Sequence, residues 1–385
     1  MTKKLLLIFL LFLSINLCSC SSFFYEQSAA EVSHGHCLPV FPDQNGWYGG
    51  DGVYSISLDR ERTLWLFGDT FVSRETGRKD RVDMDFVAGT TLAISTCSIN
   101  NEFKIQYYLK EKNKEFVSSF GEDDEWLWPQ DPFIVHHVLY IPLIAVTATN
   151  KDGELFNFKI IGHKFARIKD YSAADPYKWN PDYIDLTQAI PSDIIAFATT
   201  SVVYKDDVYF YPLYSYARDK AKVFGNIIAR IPISKLNDPA GAIEYFMKDG
   251  TWQNKLDPTK IKIVFDAGVS EFSVRYHTSD KKWIAVYLTT RNKGNQFLYQ
   301  IADKPEGPWS EPKILGDKIP EVNPQSPLYD KNNFCYAGKE HVEFSSKKNL
   351  IVTYVCNSAE DPQHRTSFVR RHLFLYRPVV RSSGY

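Results

Sequence analysis

The chain has 385 residues, 44% hydrophobic and 24% charged, which is too apolar for a disordered protein. With 45 Lys and Arg against 46 Asp and Glu, the net charge is -1, so nothing draws it to a polyanion and no nucleic-acid partner is expected. Aromatic residues make up 15%, with 23 Tyr, 26 Phe and 8 Trp against 3 Met, a mix that favours half-buried strands over helix bundles.

At the N-terminus, Lys3 and Lys4 precede the apolar stretch Leu5–Leu17, which is too short to span a bilayer comfortably and reads as a signal peptide. Leu17-Cys18-Ser19-Cys20 resembles the bacterial lipobox. The resemblance implies loss of residues 1–19 and a lipid on Cys20. Ser21 in place of Asp implies sorting to the outer membrane where there is one. The expected location is therefore the bacterial cell envelope, with the lipid as the sole membrane contact. Cys37, Cys97, Cys335 and Cys356 remain, an even set that suggests disulfides in an exported chain. His34-Gly-His36-Cys37 lacks a second close ligand pair, and no metal is expected there.

Beyond the leader, one unit recurs: an alternating strand, a polar turn and a second apolar-aromatic strand. Copies begin at Gly52, Pro132, Ser201, Phe272 and His341, at spacings of 80, 69, 71 and 69. Turns fall at Asp59–Arg62, Lys205–Asp207, Ser279–Lys282 and Ser345–Lys348. A period near seventy suits a four-stranded blade with generous loops. Residues 46–385 are read as a single all-β domain, a five-bladed β-propeller, monomeric. Residues 20–45 are a tether, and the stretch around Cys37–Phe41 is expected to add a strand to the last blade. Cys335 and Cys356 flank the strands of the last hairpin at nearly paired positions and are expected to lie within disulfide reach. That leaves Cys37 with Cys97 as the weaker second pairing.

In a propeller, the residues just before each innermost strand converge on the axis. Here these are Asp51, Asp131, Thr200, Glu271 and Glu340–His341, mostly acids. In the first unit, a turn centred on Glu61 sets Asp51 opposite about position 71, so Asp69 is at the same end of the hairpin. Like charges repel, so two carboxylates at one hairpin end need a reason. Cleavage of a glycosidic bond supplies one: one carboxyl keeps a proton for the leaving oxygen while the other activates water. Glu271 is a third candidate, as acid or as a tuning carboxylate. Asp131, Arg291 and His341 are candidate contacts to sugar or carboxylate. Trp126, Trp128 and Tyr48 are candidate stacking surfaces for a sugar ring.

Trp47-Tyr-Gly-Gly-Asp-Gly-Val-Tyr-Ser-Ile-Ser-Leu followed by Thr63-Leu-Trp-Leu-Phe-Gly-Asp-Thr-Phe resembles the opening motif of the bacterial endo-D-arabinanase propeller family. Ala93–Cys97, Glu271–Val274, Tyr336–His341 and Tyr354–Asn357 add weaker matches. The resemblance implies hydrolysis of D-arabinofuranosyl linkages with inversion, by the aspartates matching Asp51 and Asp69. Inversion calls for working carboxyls roughly 6–10 Å apart. Asp51 is assigned as base, because its glycine neighbours leave room for water, and Asp69 as acid, with the roles open to exchange.

Ser57–Trp65 lacks the glycine of a sialidase Asp-box and has one residue too many. The acidic stretches Gly121–Glu125 and Asp80–Asp85 read as solvated loops rather than calcium sites. No phosphate loop, dinucleotide fingerprint, HExxH or GxSxG occurs, and no cofactor is expected. Two alternatives remain: a non-catalytic surface lipoprotein whose propeller binds glycan or protein, and a related glycosidase acting on L-arabinan or xylan.

Overall fold

The computed structural model describes residues 37–98, 100–121, 125–149, 158–347, 349–359 and 367–385. The leader, Cys20, His34 and His36 lie outside them, as does most of the acidic stretch after Gly121. The fold is all-β: helical structure among the described residues amounts to five 3-10 turns and the single turn Phe368–Arg371.

Each of the first four predicted hairpins leads its own antiparallel sheet. The first sheet runs Tyr54–Ser57, Arg62–Phe67, Thr91–Cys97, Phe103–Tyr108. The second runs Phe133–Val135, Val138–Ala148, Phe158–Ile168, Asp182–Asp185, with Trp126–Pro129 paired to the far half of its long strand. The third runs Ser201–Tyr204, Asp207–Phe210, Ala229–Pro232, Glu244–Phe246, Trp252–Gln253, and the fourth Ser273–His277, Lys282–Leu288, Phe297–Ala302, Lys313–Ile314.

The fifth sheet departs from expectation. Its hairpin is Asn333–Glu340 with Asn349–Ser358, followed by Val379–Gly384. His341 therefore follows a strand instead of leading one, and Val342–Phe344 is a 3-10 turn. The register shifts between Tyr336 and Lys339, where Ala337 takes a φ of 56°. This irregularity hides the strand from a search for strict alternation.

Why are these strands apolar on both faces? Successive side chains point to opposite sides of a strand. In the fourth sheet, Trp283, Ala285 and Tyr287 pack with Tyr209 and Tyr211 of the third, while Ile284, Val286 and Leu288 pack with Leu350, Val352 and Tyr354 of the fifth. The same division recurs elsewhere. Leu64 and Leu66 of the first sheet meet Leu139 and Ile141 of the second, and Phe133 and Phe165 of the second meet Val203 and Phe210 of the third. Trp65 and Phe67 meet Phe344 and Ile351 of the fifth. Each such buried side chain contributes about 1.5–3 kcal/mol.

Both disulfides form. Cys335 and Cys356 are directly paired in register, 4.0 Å apart at Cα, and Cys37 joins Cys97 at 6.1 Å. The stretch 37–42 does not form the strand expected of it. The disulfide fixes one end, and Phe41 packs edge-on against Trp65 and Phe67, with ring centroids 5.0 and 5.8 Å apart. Side-chain packing fixes the segment there without any ladder.

Candidate active site

Asp51 links the short strand Trp47–Gly50 to the first sheet, and Asp69 links that sheet to Thr70–Val72, the partner of Trp47–Gly50. The register Tyr54↔Leu66 carried outward sets position 51 opposite 69, two residues from the expected 71. The backbone agrees: Asp51 N–H donates to the Asp69 carbonyl at 2.9 Å, and Gly68 N–H donates to the Asp51 carbonyl at 2.7 Å. Two residues thus face one, the arrangement of a β-bulge, which re-aims side chains at strand ends.

Both carboxyls line a cavity of about 730 Å³. Glu271 lines it as well. Gly52 takes a φ of +52°, a conformation that favours glycine, and an ideal Cβ there would lie 2.9 Å from Glu271 Oε1. Around the acids stand aromatic residues: Trp126, Trp128 and Phe158 from the second sheet, Phe334 and Tyr336 from the fifth, and Phe368 and Tyr376 from the segment between the last two strands of the fifth.

The two aspartates are held differently. Asp69 Oδ1 accepts three N–H groups, from Trp128 Nε1 at 2.7 Å, Gly89 N at 2.8 Å and Trp126 Nε1 at 3.0 Å. Burial raises its pKa to about 6, against the opposing pull of those donors. Asp51 Oδ1 accepts from Gly52 N–H at 2.7 Å, and its carboxyl is hydrogen-bonded to Tyr336. Burial, then the charge of Glu271, raise Asp51 to about 7, with Asp69 adding a smaller push. Behind Glu271, Lys339 Nζ lies 3.6 Å from Oε1 and 3.9 Å from the Tyr54 ring centroid.

Of the residues singled out from sequence, Asp51, Asp69, Glu271, Trp126 and Trp128 come together here. The two tryptophans, expected as stacking surfaces, spend their N–H groups on Asp69. The other four are placed elsewhere. Asp131 is buried beneath, bound through both oxygens by Arg275 at 2.7 and 2.9 Å and accepting from Ser201 N–H and Thr200 Oγ1. His341 is enclosed between Ser55 Oγ and Thr353 Oγ1, each at 2.7 Å, and burial pushes its pKa well below the ordinary value. Tyr48 donates its hydroxyl to the Glu75 carbonyl at 2.6 Å. Arg291 lies in an exposed 3-10 turn and donates to the Lys331 carbonyl. In each case a protein partner satisfies the polar group. Tyr336, Gln130 and Asn357 were missed; Gln130 lies one residue past the strand Trp126–Pro129, and its place right after the two tryptophans is the signal that would have found it.

This chain belongs to the DUF5005 family, described as a domain of unknown function, whose profile matches residues 40–382. No curated protein matches it. Among solved structures it is similar to a protein from Bacteroides ovatus described as a candidate hydrolase, at 14% identity and a TM-score of 0.61, with 88% of this chain and 86% of that one covered. Weaker likenesses are a family 117 glycoside hydrolase of Zobellia galactanivorans, with 10% identity, a TM-score of 0.46 and coverage of 90% and 88%, and a family 43 β-xylosidase/α-arabinofuranosidase from a compost metagenome, with 16% identity, a TM-score of 0.45 and coverage of 91% and 93%. At these identities the likeness is one of fold.

Proposed function

We propose that this protein is a glycoside hydrolase that cleaves furanosyl linkages of a D-arabinan-like polysaccharide, on a five-bladed propeller. The carrying observation is the pair Asp51 and Asp69, backbone neighbours in one aromatic-lined cavity, with pKa values raised to about 7 and about 6. Two carboxyls displaced toward neutrality by burial suit acid–base work near neutral pH. The blade count draws support from five sheets that each share a core with two others, the fifth packing back on the first.

The distribution of donors favours exchanging the roles first assigned. Three N–H groups stabilise Asp69 as an anion, which suits the base. Asp51 retains its proton to higher pH under the field of Glu271, which suits the acid. In this mechanism Asp69 takes a proton from water as the water attacks the anomeric carbon. Asp51 delivers its proton to the departing glycosidic oxygen, and the configuration inverts. Glu271 stands beside Asp51, and Lys339 pairs with Glu271. We also propose lipid anchoring at Cys20 in the cell envelope, in keeping with the two disulfides of an exported chain.

The test is incubation of the purified protein with D-arabinan, L-arabinan, galactan and xylan, with released sugars separated by chromatography and the first-formed anomer read by NMR. Release from D-arabinan supports the reading, and release only from another polymer corrects the substrate. Glycan retained intact by a protein that releases nothing would instead mark a binding lipoprotein.

A further inference from the structure

Two side-chain amides line the cavity, and each has its oxygen committed. Gln130 Oε1 accepts from Ala198 N–H at 3.1 Å, and Asn357 Oδ1 accepts from Ser358 N–H at 2.8 Å. A backbone N–H can be met only by the oxygen, so these bonds fix which end of each amide is which. The NH2 groups are left over. Gln130 is 2% exposed, and its Nε2 has no hydrogen-bond partner among the described residues. No bond to Asn357 Nδ2 is seen there either.

Their positions bracket the aspartates. Gln130 lies one residue past the strand Trp126–Pro129, whose indoles hold Asp69, and lines the same cavity, with its N–H donating to the Pro142 carbonyl at 2.8 Å. Asn357 is on the fifth sheet, paired with Phe334, whose ring stacks on Tyr336, the partner of Asp51. One amide thus stands on the Asp69 side and the other on the Asp51 side. A buried amide donor left unmet carries a desolvation penalty that a ligand acceptor removes. Among the described residues, Gln130 Nε2 is the one unpartnered buried side-chain atom belonging to a residue that lines this cavity.

We infer that Gln130 and Asn357 are substrate-orienting residues, whose NH2 groups donate to oxygen acceptors of a polyhydroxylated sugar held between them. This deepens the glycosidase reading and rests on it. The donors differ from the acids in their effect: they are met in the ground state and the transition state alike, so their loss raises KM more than it lowers kcat.

The test is a donor-to-acceptor exchange that keeps each anchor. Gln130→Glu and Asn357→Asp retain an oxygen for Ala198 N–H and Ser358 N–H but replace the NH2 with oxygen. Binding of arabino-, galacto- and xylo-oligosaccharides is measured by calorimetry in an Asp69→Asn background, in which turnover is expected to be slowed by about 10²–10⁴-fold, and KM and kcat are measured with Asp69 intact. Each exchange is expected to weaken binding by at least about tenfold, with KM rising in parallel. Unchanged affinity in both variants for an oligosaccharide that the background protein binds would overturn this inference and leave the glycosidase reading standing. No binding of any oligosaccharide by the background protein, together with no turnover by the wild type, would overturn both. Should Gln130→Glu lose its fold on thermal melting, the half-buried Asn357→Asp decides the matter.

Discussion

Trp128 donates its indole N–H to Asp69 Oδ1 at 2.7 Å, and Trp126 donates to the same oxygen at 3.0 Å. These rings are the setting of a carboxylate as much as the wall of a cavity. Trp128→Phe keeps most of the ring and removes the donor. Hydrogen bonds to charged groups are worth about 1.5–3 kcal/mol, so the anion should become harder to form. The acidic limb of the pH–rate profile should move up by about one unit, with a loss of roughly tenfold or more in kcat/KM below it. An unmoved limb would show that the tryptophan serves only to pack.

The proposed catalytic pair is tested by Asp51→Asn and Asp69→Asn. Each should keep the fold and lose about 10²–10⁴-fold in kcat. Near wild-type rates in both variants, on a polymer the wild type cleaves, would remove the pair from the chemistry.

The pH dependence follows from the same two groups. In the proposed roles the base must be ionised, so activity is expected to fall below about 6 as Asp69 gains a proton; the acid must be protonated, so it is expected to fall above about 7 as Asp51 loses one. The profile should be a narrow bell whose limbs belong to the dyad as a whole. A broad plateau extending well into alkaline pH would contradict the assignment.

Stability carries the opposite signature. The Asp51 pKa is raised from 3.8 to about 7, so the folded state binds the proton more tightly than the unfolded one. That contribution is full below the unfolded value and is lost as pH rises through about 7. Asp51→Asn, which cannot ionise, should therefore gain on the wild type between about pH 5 and about pH 8, by roughly 2–4 °C in thermal midpoint for each kcal/mol. Melting curves at the two pH values check it.

Arg81 offers a structural test away from the acids. It is fully buried, and its donors go to five backbone carbonyls: Tyr48, Val369, His372, Leu373 and Leu375. Arg81→Lys retains the charge but has three donors in place of five. Stranded carbonyls and a poorly met buried cation should cost about 3–5 kcal/mol in urea unfolding.

The first, third and fourth hairpins were legible because each strand is buried on two faces and reads as an apolar-aromatic run. The Asp51–Asp69 juxtaposition was legible because a short turn fixes the register to within two residues. The fifth strand was not, since the shift at Tyr336–Lys339 and the turn Val342–Phe344 break the two-residue rhythm. Partners across sheets escaped for a different reason. Whether Asp131 meets a sugar or Arg275, or Trp128 a sugar or Asp69, depends on contacts 144 and 59 residues apart in the chain. No local pattern encodes them.

Arg81 also has a consequence in time. Four of its five acceptors belong to residues 369–375, so a chain growing from its N-terminus carries this guanidinium for most of its synthesis with no carbonyl cradle to receive it. Phe368, Val369, Arg370 and Tyr376, which wall the cavity, arrive in the same late stretch. Residues 368–376 therefore close around Arg81 and complete the chamber together. A ribosome-stalled or C-terminally clipped chain that stops short of residue 368 lacks that part of the wall, however well its earlier sheets have formed.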